Sequence, residues 1–128
     1  MSGRLDGVTV LVVDDHDDTR EVFGLVLLNA GAQVLSASNA DEALELVAQR
    51  VVRVLVCDLA MPRIDGLDLI RRVRARDDEK RGIPAVAVSG RALPRDVGAA
   101  LDAGYDAHVA KPVDPAQLIE CVRQLAGA

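Results

Sequence analysis

Short apolar runs separated by segments with helical periodicity make up most of this 128-residue chain. Five of these runs have the length and apolar character of buried strands: residues 8–13, 33–36, 53–57, 83–88 and 106–110. After each run, apolar residues recur at the three- and four-residue spacing of a helix with one buried face. This alternation predicts a single α/β domain in which helices cover both faces of a parallel sheet.

The predicted helices differ in how well their sequences suit them. Val22, Leu25 and Val26 recur at helical spacing in the first helix and predict an apolar face there. Gly98 falls in the middle of the fourth helix and costs about 1 kcal/mol relative to alanine, so we expect this helix to be the least rigid. Residues 77–82 are predicted to form a polar loop.

Four of the five strands end at a residue with a charged or hydroxyl side chain. In the doubly wound order 2-1-3-4-5, those four strands are consecutive neighbours, and their carboxyl ends form the edge where such sheets bind ligands. Taken alone, a strand-end acid such as Asp58 more often begins a turn or caps a helix. The set predicted to converge is Asp14 and Asp15 after the first strand, Asp58 after the third, Ser89 after the fourth and Lys111 after the fifth.

The chemistry of this set indicates phosphoryl transfer. Carboxylates placed close together repel unless a cation intervenes, and hard oxygen ligands suit Mg²⁺ or Mn²⁺. Lys111 would add a second positive charge next to a phosphoryl group. Asp58 could accept that group as an aspartyl-phosphate.

Composition excludes several other classes. The formal net charge is −5, and only 2% of residues are aromatic, which argues against direct nucleic-acid binding. Cys57 and Cys121 fall in apolar surroundings and are expected to be core residues. Residues 1–7 lack the apolar segment of a signal peptide, and no run approaches membrane-spanning length, so a cytoplasmic protein is expected. The arginines of the third helix are interpreted as a solvated face: Arg71, Arg72, Arg74 and Arg76.

Four short motifs, in this order along the chain, resemble the receiver domain of two-component signalling, the phosphoacceptor module of response regulators. They are VLVVDD (residues 10–15), DLAMPRIDG (58–66), VSG (88–90) and KP (111–112). The resemblance implies a flavodoxin-like receiver fold and extends from residue 8 to about residue 125. Residues 8–126 are expected to form the single domain, with residues 1–7 as a tail or linker.

The resemblance also implies a role for each site residue. Asp58 would be phosphorylated, and Asp15 and Asp58 would hold Mg²⁺ directly together with the backbone carbonyl of Ala60. Asp14 would act mainly through water. Ser89 would contact the phosphoryl oxygens, Lys111 would pair with Asp58 and then with the phosphate, and the Lys111–Pro112 peptide bond would be cis.

Four positions need separate interpretation. His108 stands three residues before Lys111, where the family usually has a tyrosine or phenylalanine that acts as a switch with Ser89. Ala60 and Arg91 stand where the family tunes phosphate lifetime, and Ala60 has no group to orient an attacking water. His16 follows the acid pair; a solvated loop histidine is favoured over a metal ligand, because the other candidate ligands are oxygens.

The predicted function is to receive a phosphoryl group from a sensor histidine kinase or phosphotransfer protein. Phosphorylation would change binding to a downstream protein through the fourth helix, fifth strand and fifth helix, with a possible weak homodimer through the same surface. The chain is expected to catalyse no reaction beyond its own phosphorylation and dephosphorylation. The segment from Gly104 to Asp114 resembles receivers at the ends of hybrid sensor kinases.

Two alternatives remain open at this point. The first is a pseudo-receiver, a scaffold that never takes phosphate. The second is a hydrolase with an aspartyl nucleophile, which would need a second acid where this chain has Ala60.

Overall fold

A computed structural model describes residues 4–90 and 93–127 and confirms the predicted sheet. Its five parallel strands pair in the order β2-β1-β3-β4-β5. The bounds are β1 Thr9–Val13, β2 Gln33–Ala37, β3 Val54–Asp58, β4 Ala85–Ser89 and β5 Ala107–Ala110.

Five helices connect and flank these strands within the described residues. They are α1 Asp17–Asn29, α2 Ala40–Gln49, α3 Gly66–Arg74, α4 Pro94–Ala103 and α5 Pro115–Ala126. The predicted polar loop at 77–82 contains a short 3₁₀ turn, Glu79–Gly82, because the Asp78 side chain accepts a hydrogen bond from the Lys80 backbone and starts it. No helix in the described part of the chain is both long and apolar enough to cross a membrane.

Successive strand residues point to opposite faces of the sheet and build two separate cores. Leu11 and Leu55 belong to the core under α2 and α3, which also contains Leu69. Val10 and Val54 belong to the opposite core. Residues from α1 and α5 complete that second core, among them Phe23, Leu27, Leu118 and Val122. The sheet is therefore buried on both faces, and its carboxyl edge stays open for a site.

The buried face of α1 differs from the predicted one. Val22 and Leu25 are 56% and 53% exposed, whereas Phe23, Gly24 and Leu27 are buried. The apolar spacing was compatible with two neighbouring faces of the helix, and packing against the sheet selects the one with the aromatic ring. An apolar strip of α1 remains on the surface.

The segment before β1 packs on the domain. Leu5 is fully buried in the α1–α5 core, and its backbone N–H donates to the carbonyl of Ala30 at 2.8 Å. Arg4 forms an ion pair with Glu120 of α5. Leu5, interpreted from sequence as part of a tail or linker, thus contributes to the core.

Candidate metal and phosphoacceptor site

The strand register places the predicted polar residues at one edge of the sheet. Val13 is level with Cys57, so Asp14 follows β1 at the height where Asp58 ends β3. Asp58 is level with Val88, and Ser89 is level with Ala110 just before Lys111. One ligand atom from each of Asp14, Asp15, His16 and Asp58 lies within 4.8 Å of all the others.

Asp58 is almost fully buried, at 2% exposure, and both carboxylate oxygens have a donor close by. Oδ1 accepts a hydrogen bond from the backbone N–H of Ala60 at 3.1 Å. Oδ2 lies 3.3 Å from Nζ of Lys111, whose side chain is about one-third exposed. A single ammonium thus neutralises this carboxylate at the mouth of the site.

Asp14 is fully buried and only partly satisfied. Its Oδ1 accepts the backbone N–H of His16 at 2.8 Å, but its Oδ2 has no hydrogen-bond partner among the described residues. Burial raises the pKa of Asp14, and the nearby Asp58 carboxylate raises it further, while the hydrogen bond from His16 opposes both. Repulsion between carboxylates, expected from the sequence, therefore contributes less than burial to the raised pKa of Asp14.

These observations meet the requirements of a divalent cation. An unpartnered oxygen on a buried carboxylate is costly unless a cation or a donor faces it. Asp15 also has an oxygen, Oδ1, with no hydrogen-bond partner in residues 4–90 and 93–127. The oxygen donors present are those that Mg²⁺ and Mn²⁺ prefer.

Close backbone contact between β3 and α3 fixes the position of Asp58. A Cβ atom on Gly66 would lie 2.8 Å from the carbonyl oxygen of Asp58 and 2.8 Å from Cα of Leu59, so only glycine fits. The buried Tyr105 hydroxyl donates to the Gly66 carbonyl at 2.8 Å. The sequence predicted no role for Tyr105, and its contact that supports the site from below was missed.

Cys57 lies beneath the site, and its thiol is unreactive. Burial raises the pKa of its thiol to about 12. A thiol that stays protonated at neutral pH is neither a metal ligand nor a nucleophile. This agrees with the predicted core role.

Ser89 and Lys111 end adjacent strands. Ser89 is 7% exposed, and its carbonyl accepts the backbone N–H of Lys111 at 2.9 Å. The Lys111–Pro112 bond is cis, as the family resemblance implied. Beside them opens a pocket of about 490 Å³, whose lining includes Leu59, Ala60, Met61, Ser89 and Gly90.

His108 lies inside β5 and away from the carboxylates. It is level with Ala87, two residues before Ser89, so the His108 and Ser89 side chains point to the same face of the sheet. Its Nε2 is buried without a hydrogen-bond partner among the described residues. Arg91, the other position predicted to affect phosphate lifetime, lies outside the described residues.

A family model for the response regulator receiver domain matches residues 10–123. The chain belongs to this receiver family. It is 44% identical over 115 residues to the "uncharacterized 14.6 kDa protein in sodA1 3'region" of Leptolyngbya boryana, covering 90% of this chain and 87% of the relative. The match covers nearly all of the receiver fold.

Two further comparisons support the same family. The receiver is 33% identical over 124 residues to the sensory/regulatory protein RpfC of Xanthomonas campestris, covering 96% of this chain but only 17% of RpfC. It superposes on a putative response regulator from Chloroflexus aurantiacus with a TM-score of 0.89 and 31% identity, covering 94% and 98% of the two chains. The fold and the family are therefore established independently of the site chemistry.

Proposed function

We propose that this receiver accepts a phosphoryl group on Asp58 in a Mg²⁺-dependent step of a two-component phosphorelay. The observation that supports it most directly is the neighbourhood of Asp58. One oxygen meets Lys111, and the buried Asp14 beside it offers an oxygen with no partner among the described residues. The site therefore needs one more cation, and a phosphoryl group would bring the negative charge that two cations can neutralise.

In the transfer, the chain's own groups supply the nucleophile, its orientation and one positive charge. An Asp58 carboxylate oxygen attacks phosphorus, and the bond from phosphorus to the donor breaks with its electron pair staying on the donor atom. The Ala60 backbone N–H, 3.1 Å from Asp58 Oδ1, fixes the orientation of the carboxylate. Lys111 moves its charge from the carboxylate to the phosphoryl oxygens, and Ser89 contacts those oxygens from β4.

Asp14, Asp15, Asp58 and the Ala60 carbonyl are the groups that would hold Mg²⁺, with Mn²⁺ as a substitute. The metal would supply positive charge to the phosphoryl oxygens. Asp14 has a fully buried side chain and would act at a distance or through water, while the partly exposed Asp15 would contact the metal directly.

Ser89 and His108 would form the switch. Their side chains lie on one face of neighbouring strands. If the Ser89 hydroxyl moves toward a phosphoryl group, His108 would rotate into the vacated space and change the surface made by α4, β5 and α5. A downstream protein would bind there, and a weak homodimer through that surface is part of the same proposal.

The donor would be a sensor histidine kinase or a phosphotransfer protein. The chain spans only 17% of RpfC, so a receiver of this kind also occurs within a longer sensory protein. We take residues 8–126 as the functional domain, against which Leu5 packs. A cytoplasmic location is proposed because Cys57 and Cys121 are both free thiols. No separate enzymatic activity, membrane contact or nucleic-acid contact is included.

The alternatives are less well supported. A scaffold that never takes phosphate would not need a buried carboxylate with an unpartnered oxygen beside Asp58. A hydrolase would need an acid two residues after the nucleophile, and Ala60 stands there. The scaffold alternative also does not explain why Lys111 and Asp58 are paired at the open edge of the sheet.

The test is phosphorylation by acetyl phosphate with Mg²⁺, followed by intact-protein mass spectrometry. Wild-type protein should gain one phosphoryl group that is lost in base, and Asp58→Asn should gain none. Asp68→Asn, which removes an exposed carboxylate of α3, is the matched control and should behave as wild type. An equal adduct on Asp58→Asn would refute the assignment.

A further inference from the structure

We propose that His16 is a direct ligand of the metal in this site, through Nδ1, and that it shifts the site's preference from Mg²⁺ toward divalent first-row transition metals. This inference rests on the proposed function, since it concerns the same ion. It reverses the expectation from sequence, which favoured a solvated loop histidine.

The backbone places the imidazole at the carboxylates. His16 is the residue that precedes the first turn of α1, and its N–H donates to Asp14 Oδ1 at 2.8 Å. This bond folds the chain so that the side chain lies over the acid pair. The side chain does not cap α1 with a hydrogen bond, so helix capping does not account for the position of the ring.

The distance between His16 and Asp15 matches that between two ligands of one ion. His16 Nδ1 lies 3.2 Å from Asp15 Oδ1 and 3.4 Å from Asp14 Oδ1. Adjacent ligands of an octahedral ion with bonds of about 2.1–2.2 Å are separated by roughly 3 Å. Asp15 Oδ1 has no hydrogen-bond partner in the described part of the chain. His16 Nδ1 therefore lies next to this oxygen without forming a hydrogen bond to it.

A second, independent observation indicates that this set of residues binds an ion. Asp14 is fully buried, and its Oδ2 has no hydrogen-bond partner among the described residues. Together with Asp58, these residues bring one nitrogen and three carboxylate ligand atoms within 4.8 Å of one another. A surface ion pair between His16 and Asp15 would leave the buried Asp14 oxygen unexplained.

The added nitrogen changes which metal is preferred. Carboxylates and carbonyls suit Mg²⁺ and Mn²⁺, whereas imidazole suits metals later in the first row. Replacing one oxygen or water ligand by imidazole therefore favours Co²⁺ and Ni²⁺ over Mg²⁺. His16 is 67% exposed, so the ring can adjust to the ion that enters.

The decisive experiment detects the nitrogen on the metal. The chain has two histidines, so an imidazole signal can be assigned with two variants. Electron spin-echo modulation of the protein loaded with Mn²⁺ should show coupling to a histidine nitrogen in wild type and in His108→Phe. The coupling should be lost in His16→Phe, which keeps a planar ring without a donor atom. Bound Mn²⁺ without nitrogen coupling in wild type would overturn the proposal.

Calorimetric titration supplies the second measurement. His16→Phe should weaken Co²⁺ binding by at least about tenfold, as expected for disrupting a metal's coordination environment, and should change Mg²⁺ binding by less than about twofold. Equal losses for both metals, or none, would refute the metal preference. If no metal binds wild type at all, the proposed function fails; if Mg²⁺ and Co²⁺ bind independently of His16, only this inference fails.

Discussion

At the scale of single residues, the buried carboxylate of Asp14 opposes folding when it is ionised. Its carboxylate is fully buried, and the folded protein raises its pKa above the ordinary value of 3.8, chiefly through burial. Since the folded pKa lies above the unfolded one, Asp14 favours folding below pH 3.8 and this contribution is lost as the pH rises through the folded pKa. At neutral pH the ionised group opposes folding unless a cation is bound.

Asp14→Asn should therefore stabilise the metal-free protein near neutral pH, by on the order of 1 kcal/mol, because the neutral amide does not carry the cost of a buried, ionised carboxylate. The amide oxygen can still accept the His16 N–H. Urea unfolding at pH 7 without metal measures the gain, which should shrink toward pH 3, and Mg²⁺ binding should weaken. A less stable variant at pH 7 would contradict this account.

Ala60 offers a second residue-scale prediction. It is exposed at the rim of the pocket beside Ser89 and has no side-chain group that could orient a water molecule toward a phosphorylated Asp58. Ala60→Asn should shorten the half-life of the phosphorylated form, by about tenfold or more if the amide acts as a water-positioning group. The decay is followed by phosphate release after removal of the donor, with Arg63→Gln as an exposed control in the same loop. An unchanged or longer half-life would show that the missing side-chain group at Ala60 does not slow hydrolysis.

At the scale of elements, two glycines at helix positions have opposite roles. Gly98 lies within α4, and a Cβ there would meet nothing within 4 Å. Gly66 begins α3, and a Cβ there would meet the Asp58 carbonyl oxygen at 2.8 Å. The first glycine only weakens its helix, whereas the second permits the contact that holds the site.

Gly98→Ala should raise the free energy of unfolding by about 1 kcal/mol, the usual difference between the two residues in a helix interior. Gly66→Ala should lower it by about 1–3 kcal/mol, because the added methyl group overpacks the backbone. Thermal or urea unfolding of the pair measures both changes with the same chemical substitution. Equal effects at the two positions would show that the contact at Gly66 is unimportant.

The sequence predicted the elements well because each has a simple local signal. Apolar runs located all five strands to within two residues, and the polar strand ends located Asp14, Asp58, Ser89 and Lys111. What it could not predict were contacts across the fold. The spacing in α1 did not distinguish the Val22 face from the Phe23 face, and nothing local indicated that Tyr105 bonds to Gly66.

The same limit applies to His16 and Leu5. The position of the His16 ring depends on how its backbone bonds to Asp14, which sequence spacing does not contain. Leu5 looked like part of a linker because a single apolar residue forms no pattern, yet it is fully buried between α1 and α5. The position and burial of such isolated residues depend on tertiary packing, which the sequence pattern does not show.

At the scale of the whole molecule, metal binding and folding should be coupled. An ion that binds only the folded state stabilises it by about 2.7 kcal/mol when its concentration is a hundred times the dissociation constant. For a domain of this size, that corresponds to a rise in melting temperature of roughly 10 °C. Thermal melts with and without Mg²⁺ measure the effect, which Asp15→Asn should reduce strongly. Asp68→Asn should keep it in full, and a rise that survives in Asp15→Asn would place the ion elsewhere.

Both ends of the described chain lie at the amino edge of the sheet. Leu5 bonds to the Ala30 carbonyl, just before β2 begins, and the Arg53 guanidinium, just before β3, donates to the carbonyl of Ala126 near the end of α5. Asp58 and Lys111 lie at the opposite edge. A second protein fused ahead of residue 4 or behind residue 127 would therefore extend away from the carboxylates. Both attachment points would thus leave the edge that carries Asp58 and Lys111 unobstructed.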